Sequence, residues 1–231
     1  MTVTLAAIRR YPVKAMGGED LAQVDVDARG LLGDRWFAVV DDDGRLASHK
    51  STTRMRRRDA VARFHALTGD DGVVQVGDER GGSRPVDDPA LAAQLSEAMG
   101  APVTVRVEQG GSHQDDGAVS LVGSATLRWC AERWGVDADP RRLRVNLVLD
   151  TDEPFVEESW LGRRVGIGPV GLLVQDRVER CRTVDVDQDG VVVRDRWLAP
   201  LGAERDLCVA VYARVVQPGL LTLGDPVEPQ M

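Results

Sequence analysis

Residues 23–44 read Gln23-Val24-Asp25-Val26-Asp27-Ala28-Arg29-Gly30-Leu31-Leu32-Gly33-Asp34-Arg35-Trp36-Phe37-Ala38-Val39-Val40-Asp41-Asp42-Asp43-Gly44. The first five residues alternate apolar and polar with a period of two, the pattern of a strand with one buried face. Residues 35–41 form a second short run, rich in Val and aromatic side chains, stopped by the turn signal Asp42-Asp43-Gly44. Two strands this close leave no room for a helical crossover between them. The same grammar extends outward. Residues 3–10 are a short apolar strand, and Val73-Val74-Gln75-Val76 lies between Gly72 and Gly77. Short strands with turns between them point to a small barrel or sandwich.

At Asp88 the period changes. Leu91, Leu95 and Met99 recur every four residues, Asp88 can cap a helix, Pro89 sits at its first position and Gly100 stops it. A strand over 102–107 and the loop Gln109-Gly110-Gly111-Ser112 follow. The second half opens with a strand over 118–122 and a helix over 124–134 ended by Gly135. Strands are then expected over 143–150, 165–175, 191–194, 209–216 and 220–223, punctuated by Asp189-Gly190, Pro218-Gly219 and Asp225-Pro226. The fold class is mainly β (α+β), with units expected at 1–87 and 88–231.

The chain has 231 residues, 43% hydrophobic and 29% charged, which is ordinary globular composition and argues against disorder. Its net charge of −8 argues against binding duplex nucleic acid or an anionic membrane. The apolar run near the start is too short for a signal peptide, and no stretch is long enough to span a bilayer. A soluble cytoplasmic protein is expected. The basic side chains are 27 arginines with only Lys14 and Lys50 as lysines.

Three widely spaced cysteines, with no C-x-x-C pair, fit neither a zinc site nor a disulfide framework. Cys130 reads as a core residue of its helix. Cys181 lies between Arg180 and Arg182, whose guanidiniums favour a thiolate, and Cys208 immediately precedes a long strand. Lys14 stands where a strand gives way to Ala15-Met16-Gly17-Gly18, a place for an anion contact. Gly123 and Ser124 follow a strand and open a helix, whose free N–H groups can hold a phosphate. His49, His65 and His113 are scattered and suggest neither a triad nor a histidine metal site. The run Arg54, Arg56, Arg57, Arg58 is either a solvated loop or a basic docking patch.

Four stretches in order resemble one family. Ile8-Arg9-Arg10-Tyr11-Pro12-Val13-Lys14 with Gly30-Leu31-Leu32-Gly33-Asp34-Arg35-Trp36 resembles the N-terminal β-barrel domain that precedes MOSC domains. Arg142-Leu143-Arg144-Val145-Asn146-Leu147, then Trp160-Leu161-Gly162-Arg163 with Arg180-Cys181-Arg182-Thr183, resemble the MOSC domain itself. Val211-Tyr212-Ala213-Arg214 through Leu223-Gly224-Asp225-Pro226-Val227 resembles its end. The similarity runs over residues 3–228.

The resemblance implies a small N-terminal β-barrel plus a MOSC β-barrel, with a molybdenum cofactor (molybdopterin) between them. The relatives include the mitochondrial amidoxime-reducing component and bacterial hydroxylaminopurine-detoxifying proteins, which reduce N–O bonds. It implies Lys14, Arg35 and Arg144 at the cofactor's phosphate, Asn146 on a pterin edge, and Gly123 and Ser124 at the helix start. Molybdenum on a dithiolene also takes a soft thiolate. Cys208 is the nearest candidate for that ligand, and Cys181 matches a second recurring family cysteine. Ala15 stands where relatives often carry serine, Val145 replaces a common proline, and the segment over 190–207 is shortened.

The function implied is an oxidoreductase acting on N-hydroxylated small molecules. Its electrons are expected from a separate redox protein, since no dinucleotide fingerprint, cysteine cluster or haem motif is present. The alternative is a module that carries sulfur or the cofactor without turnover, linked to pyridoxal phosphate-dependent sulfur transfer.

Overall fold

The computed structural model describes residues 3–230. An eight-stranded sheet runs in the order Val227–Pro229, Arg164–Ile167, Val170–Glu179, Cys208–Gln217, Val119–Gly123, Leu147–Asp150, Thr4–Arg10, Glu19–Leu21. All its neighbours are antiparallel except Val119–Gly123 and Leu147–Asp150, which run parallel. A parallel pair needs a crossover, and here it contains the helices Ser124–Trp134 and Pro140–Leu143. The long pair Val170–Glu179 and Cys208–Gln217 carries three register shifts. Such bulges increase local twist and bend the strand, and they re-aim side chains near its end.

A smaller lobe is built from two sheets sharing one core. One contains Val103–Val107, Phe37–Asp41, Leu46–Ser48 and Met55–Arg57; the other contains Ser83–Pro85, Val74–Asp78 and Phe64–Thr68. The helix Pro89–Met99 presses Leu91, Leu95 and Met99 into that core beside Val39, Phe64, Ala66 and Val76. Its ends are those read from sequence. Asp88 accepts a hydrogen bond from the Ala90 N–H, and Gly100 is left-handed with φ 62°. The helix over 124–134 also stands as expected, capped by Gly135.

The two lobes are not the two halves of the sequence. Thr4–Arg10 pairs with Leu147–Asp150 in the large sheet. Gln23–Asp27 does alternate, but Val24 and Val26 face the large lobe's core, and the strand pairs with Gly219–Thr222. In the other direction, Val103–Val107 crosses the expected boundary at 87/88 to pair with Phe37–Asp41. Alternation fixes which face a strand buries and does not name its partner.

Other departures are local. The strand expected over 165–175 is a hairpin that turns at Gly168 and Pro169. The strand expected over 191–194 is a single bridge, Gln188 to Val191. The strand expected from 143 begins at Leu147, because Asp139-Pro140 caps and opens a short helix that ends at Arg144. The helix Leu198–Arg205 was not legible as a periodic run. Among the described residues, no helix is long and apolar enough to cross a membrane.

Candidate functional site

A cleft of about 850 Å³ of atom-free space, open solvent at its mouth included, lies between the lobes. The small-lobe side supplies Lys14, Ala15, Arg35, Ser48, His49 and Lys50. The large-lobe side supplies the loop Asp115–Asp116–Gly117, Arg142 to Arg144, Asn146, Arg180, Cys181, Thr183 and Tyr212. Six lining side chains are cationic (Lys14, Arg35, Lys50, Arg142, Arg144, Arg180), against the carboxylates of Asp115, Asp116 and Glu179.

The backbone is strained where it presents these groups. Ala15, Arg35 and Arg144 have φ of 66°, 55° and 52°. Left-handed backbone costs a non-glycine residue about 1–2 kcal/mol, and such strain concentrates where the fold over-determines a functional geometry. Hydrogen bonds hold it here. The Arg35 N–H donates to Tyr11 O at 2.7 Å, and the Arg144 N–H to Arg141 O at 3.1 Å.

Tyr11 lies beneath the cations, fully buried. The guanidiniums of Arg144, Arg35 and Arg9 sit 4.2, 5.0 and 5.7 Å from its ring centroid, so one ring face-field steadies three like charges. Burial pushes its phenol up to about 12, so it stays neutral. Arg35 is further fixed by the Asp34 carboxylate and by donating to Arg144 O at 3.1 Å.

Other cations are only partly satisfied. Arg144 Nη1 reaches Gln188 Oε1 at 3.4 Å, while Nη2 is buried without a partner. Arg180 donates to Val209 O at 3.0 Å and to Leu143 O at 2.6 Å, and its Nη2 is likewise orphaned. Burial lowers the pKa of Arg144 and of Arg180, the mark of positive charge short of a counter-ion. Lys14, 3% exposed, is also lowered by burial, although its ammonium bonds Asp115 at 2.9 Å. Burial works to raise the Asp115 carboxyl, but Lys14 and Arg35 outweigh it and hold it at about 2.

The cleft thus brings together Lys14, Arg35, Arg144, Asn146 and Cys181 from among the residues singled out by sequence. Cys181 follows the strand Val170–Glu179 and precedes the turn of helix Arg182–Asp185; its Sγ shares a hydrogen bond with Thr183 Oγ1 at 3.2 Å. Asn146 reaches the wall, but its amide is committed to the chain. Oδ1 accepts from the Ser120 N–H and hydroxyl, and Nδ2 donates to Arg9 O.

Three residues lie outside the cleft. Cys208 pairs across from Glu179, and its thiol donates to Asp206 O at 3.4 Å. Burial pushes that thiol up; Arg177 opposes this, while Glu179, Glu158 and Asp206 add to it, which is poor company for a thiolate. Gly123 and Ser124 sit at the other end of the strand whose Ser120 lines the cleft. The helix start there is filled by the chain itself. Thr151 Oγ1 accepts from the Ala125 N–H, Thr126 donates to the buried Glu157 carboxylate, and a Cβ on Gly123 would meet Thr151 Oγ1 at 2.6 Å.

Sequence reading passed over Tyr11, His49, Asp115 and Arg180 as site residues. The rarity of lysine was the one signal for Lys50; Asp115 lay in a stretch legible only as loop. In the arginine run, Arg56 pairs with Asp41 and Asp43, Arg57 with Asp59, and Arg54 donates to Ser112 O, while Arg58 Nε is buried without a partner.

Comparison with known proteins identifies the family of the chain. No curated protein matches the chain. The YuaD protein of Bacillus subtilis is similar in structure at 14% identity, with 99% of this chain and 96% of that one covered and a TM-score of 0.51. YiiM of Escherichia coli is similar at 12% identity, covering 100% of this chain and 70% of that one, with a TM-score of 0.48. The MOSC N-terminal beta barrel domain matches residues 2–130, and the MOSC domain matches residues 106–228. The chain therefore belongs to the MOSC family, with the N-terminal barrel domain joined to the MOSC domain.

Proposed function

We propose that the cleft holds the molybdenum cofactor and that the protein reduces N-hydroxylated small molecules with electrons from a separate redox protein. MOSC domains are associated with this cofactor as a family. The observation that carries the reading is the pairing of orphaned buried cations with a soft thiol: Arg144 Nη2 and Arg180 Nη2 lack partners on the same cleft that Cys181 lines. Buried donors without acceptors are costly, so an anionic occupant restores what the fold leaves open.

The donor set fits the group. Among the described residues, no cluster of three or more His, Cys, Asp or Glu could hold a metal alone. A metal that arrives on a dithiolene needs only one further protein ligand, and a soft one suits it. Lys14, Arg144 and Arg180 would hold the phosphate end, Arg35 would fix the direction of Arg144 through its carbonyl, and Cys181 would supply the thiolate. When bound, the cofactor supplies a two-electron redox couple at the N–O bond. Leu143, Val178 and Val184 line the same cleft and give it an apolar stretch of wall. Three cysteines are too few for a four-thiolate iron–sulfur cluster within these 231 residues, which supports the reading that the electrons come from another protein.

The test is benzamidoxime reduction by protein purified from a host that makes the cofactor. Turnover is expected with reduced methyl viologen and none with NADH or NADPH alone. Steady turnover with a nicotinamide alone would remove the partner requirement. Sulfane sulfur on Cys181 without molybdenum and without turnover would assign a carrier role instead.

A further inference from the structure

Gln188 is 3% exposed, and its amide meets three residues of the cleft wall. Nε2 donates to Thr183 O at 2.6 Å and reaches Arg142 O at 3.5 Å, and Oε1 accepts from Arg144 Nη1 at 3.4 Å. The two carbonyls take the NH2 end, so the oxygen end must face the guanidinium. A carboxylate here would have no donor for those carbonyls. The backbone holds the amide in place. Gln188 and Val191 exchange N–H···O bonds of 3.1 and 2.8 Å around Asp189 and Gly190, whose φ are 56° and 75°. Positive φ at both central residues makes the two-residue hairpin turn that Asp-Gly favours. Its tip is pinned to the first strand. The Asp189 carboxylate accepts from Arg9 Nε at 3.0 Å, from Arg9 Nη2 at 2.7 Å and from the Gly18 N–H at 3.1 Å, while Arg141 Nη1 donates to Asp189 O at 3.1 Å. Gly17 makes room for the tip, since a Cβ there would stand 2.7 Å from Asp189 Oδ1.

The cations in and beneath the cleft divide by what holds them. Lys14 faces the Asp115 carboxylate, Arg35 that of Asp34, and Arg9 those of Asp189 and Asp20, so their charge is compensated within the chain. Arg144 is held by groups without net charge: the Gln188 amide and the Tyr11 ring, whose centroid lies 4.2 Å from the guanidinium carbon. A carboxylate would fix the direction of the guanidinium and cancel its charge; a neutral acceptor fixes the direction and leaves the charge for an incoming anion. We propose that Gln188 is the positioning residue of the anion site: pinned through Asp189 at the tip of its turn, its amide aims the Arg144 guanidinium so that the unpartnered Nη2 is kept for an anion. Gln188 itself acts only through Arg144. This role rests on the anionic occupant proposed above and not on the metal that occupant carries.

The test is a double-mutant cycle on the metal-free full-length chain, with inorganic sulfate as the probe and calorimetric titration at pH 7.5 as the measurement. Gln188→Met removes both ends of the amide at nearly constant volume, and should weaken sulfate binding roughly three- to tenfold, the scale of one hydrogen bond. In an Arg144→Ala background, where a residual site remains on Lys14 and Arg180, the same substitution should change sulfate affinity by less than about twofold, because the residue it acts through is gone. A merely structural role would give the same loss in both backgrounds, and that result overturns the proposal. Gln188→Glu is the second variant. Its carboxylate should pair with Arg144 and weaken sulfate binding more than Gln188→Met does; sulfate binding equal to wild type would overturn the proposal as well. Urea midpoints of all the proteins establish that each is folded when it is titrated. Sulfate bound by wild type with no effect of either Gln188 variant removes the role of Gln188 and leaves the cationic cleft standing. No sulfate binding by wild type removes the anion site, and the role of Gln188 with it.

Discussion

Arg144 shows how one residue is committed to a site by its neighbours. Its backbone is left-handed at the end of a short helix, its carbonyl accepts from Arg35, and its guanidinium lies over Tyr11 with one nitrogen unpartnered. Removing it takes away a charge-assisted contact worth about 1.5–3 kcal/mol. Arg144→Ala should therefore release bound cofactor roughly ten- to a hundredfold faster than wild type, measured by cofactor dissociation from the loaded protein. Lys14→Ala is a different case, since it strands the Asp115 carboxylate that Lys14 now binds. Lys14→Ala combined with Asp115→Asn should retain cofactor better than Lys14→Ala alone, and retention rates of the three proteins check this. Lys14, Arg35 and Arg144 were legible through family motifs. Asp115 and His49 were not, because single charged residues in loops carry no periodic signal.

At the scale of elements, Gly30 decides whether the turn between Gln23–Asp27 and Gly30–Leu31 can form. Its φ is +122°, and an added Cβ would stand 2.4 Å from the backbone oxygen of Ala118. Gly30→Ala should lower stability by about 2 kcal/mol or more, read as a shift of the urea midpoint without a change in slope. The sequence marked this glycine as part of a motif, but the atom it avoids lies just ahead of the strand Val119–Gly123, far along the chain. The same distinction runs through the fold. Asp88-Pro89 and Gly100 set both ends of the first helix because caps act locally. The pairing of Thr4–Arg10 with Leu147–Asp150 depends on contacts across the whole molecule and left no local trace. Ser124 illustrates the cost of reading an element alone. It does open a helix, but Thr151 and Glu157 fill the end where an anion was expected.

For the whole molecule, burying His49 neutral couples stability to pH. Its folded pKa of about 4 lies below the ordinary 6.5, so the unfolded chain binds more protons between these values. Stability is thus full above pH 6.5 and is lost as pH falls toward 4, by about 3 kcal/mol for a shift of this size. Urea denaturation at pH 7.5 and 4.5 checks this, and His49→Gln should flatten that part of the profile. Below pH 4 the depressed Asp115 carboxyl continues the loss as pH falls toward 2.

The central claim joins these scales: two interleaved lobes form a cationic cleft that presents Cys181, and not Cys208, to a molybdenum cofactor. The most direct measurement is molybdenum per chain in wild type, Cys181→Ser and Cys208→Ser, all purified from the same cofactor-producing host. The account predicts roughly one molybdenum per chain in wild type and in Cys208→Ser, and a loss of most of it in Cys181→Ser, whose hydroxyl is a harder ligand. Full metal in Cys181→Ser with an empty Cys208→Ser, or a wild-type protein that takes up none, would contradict it.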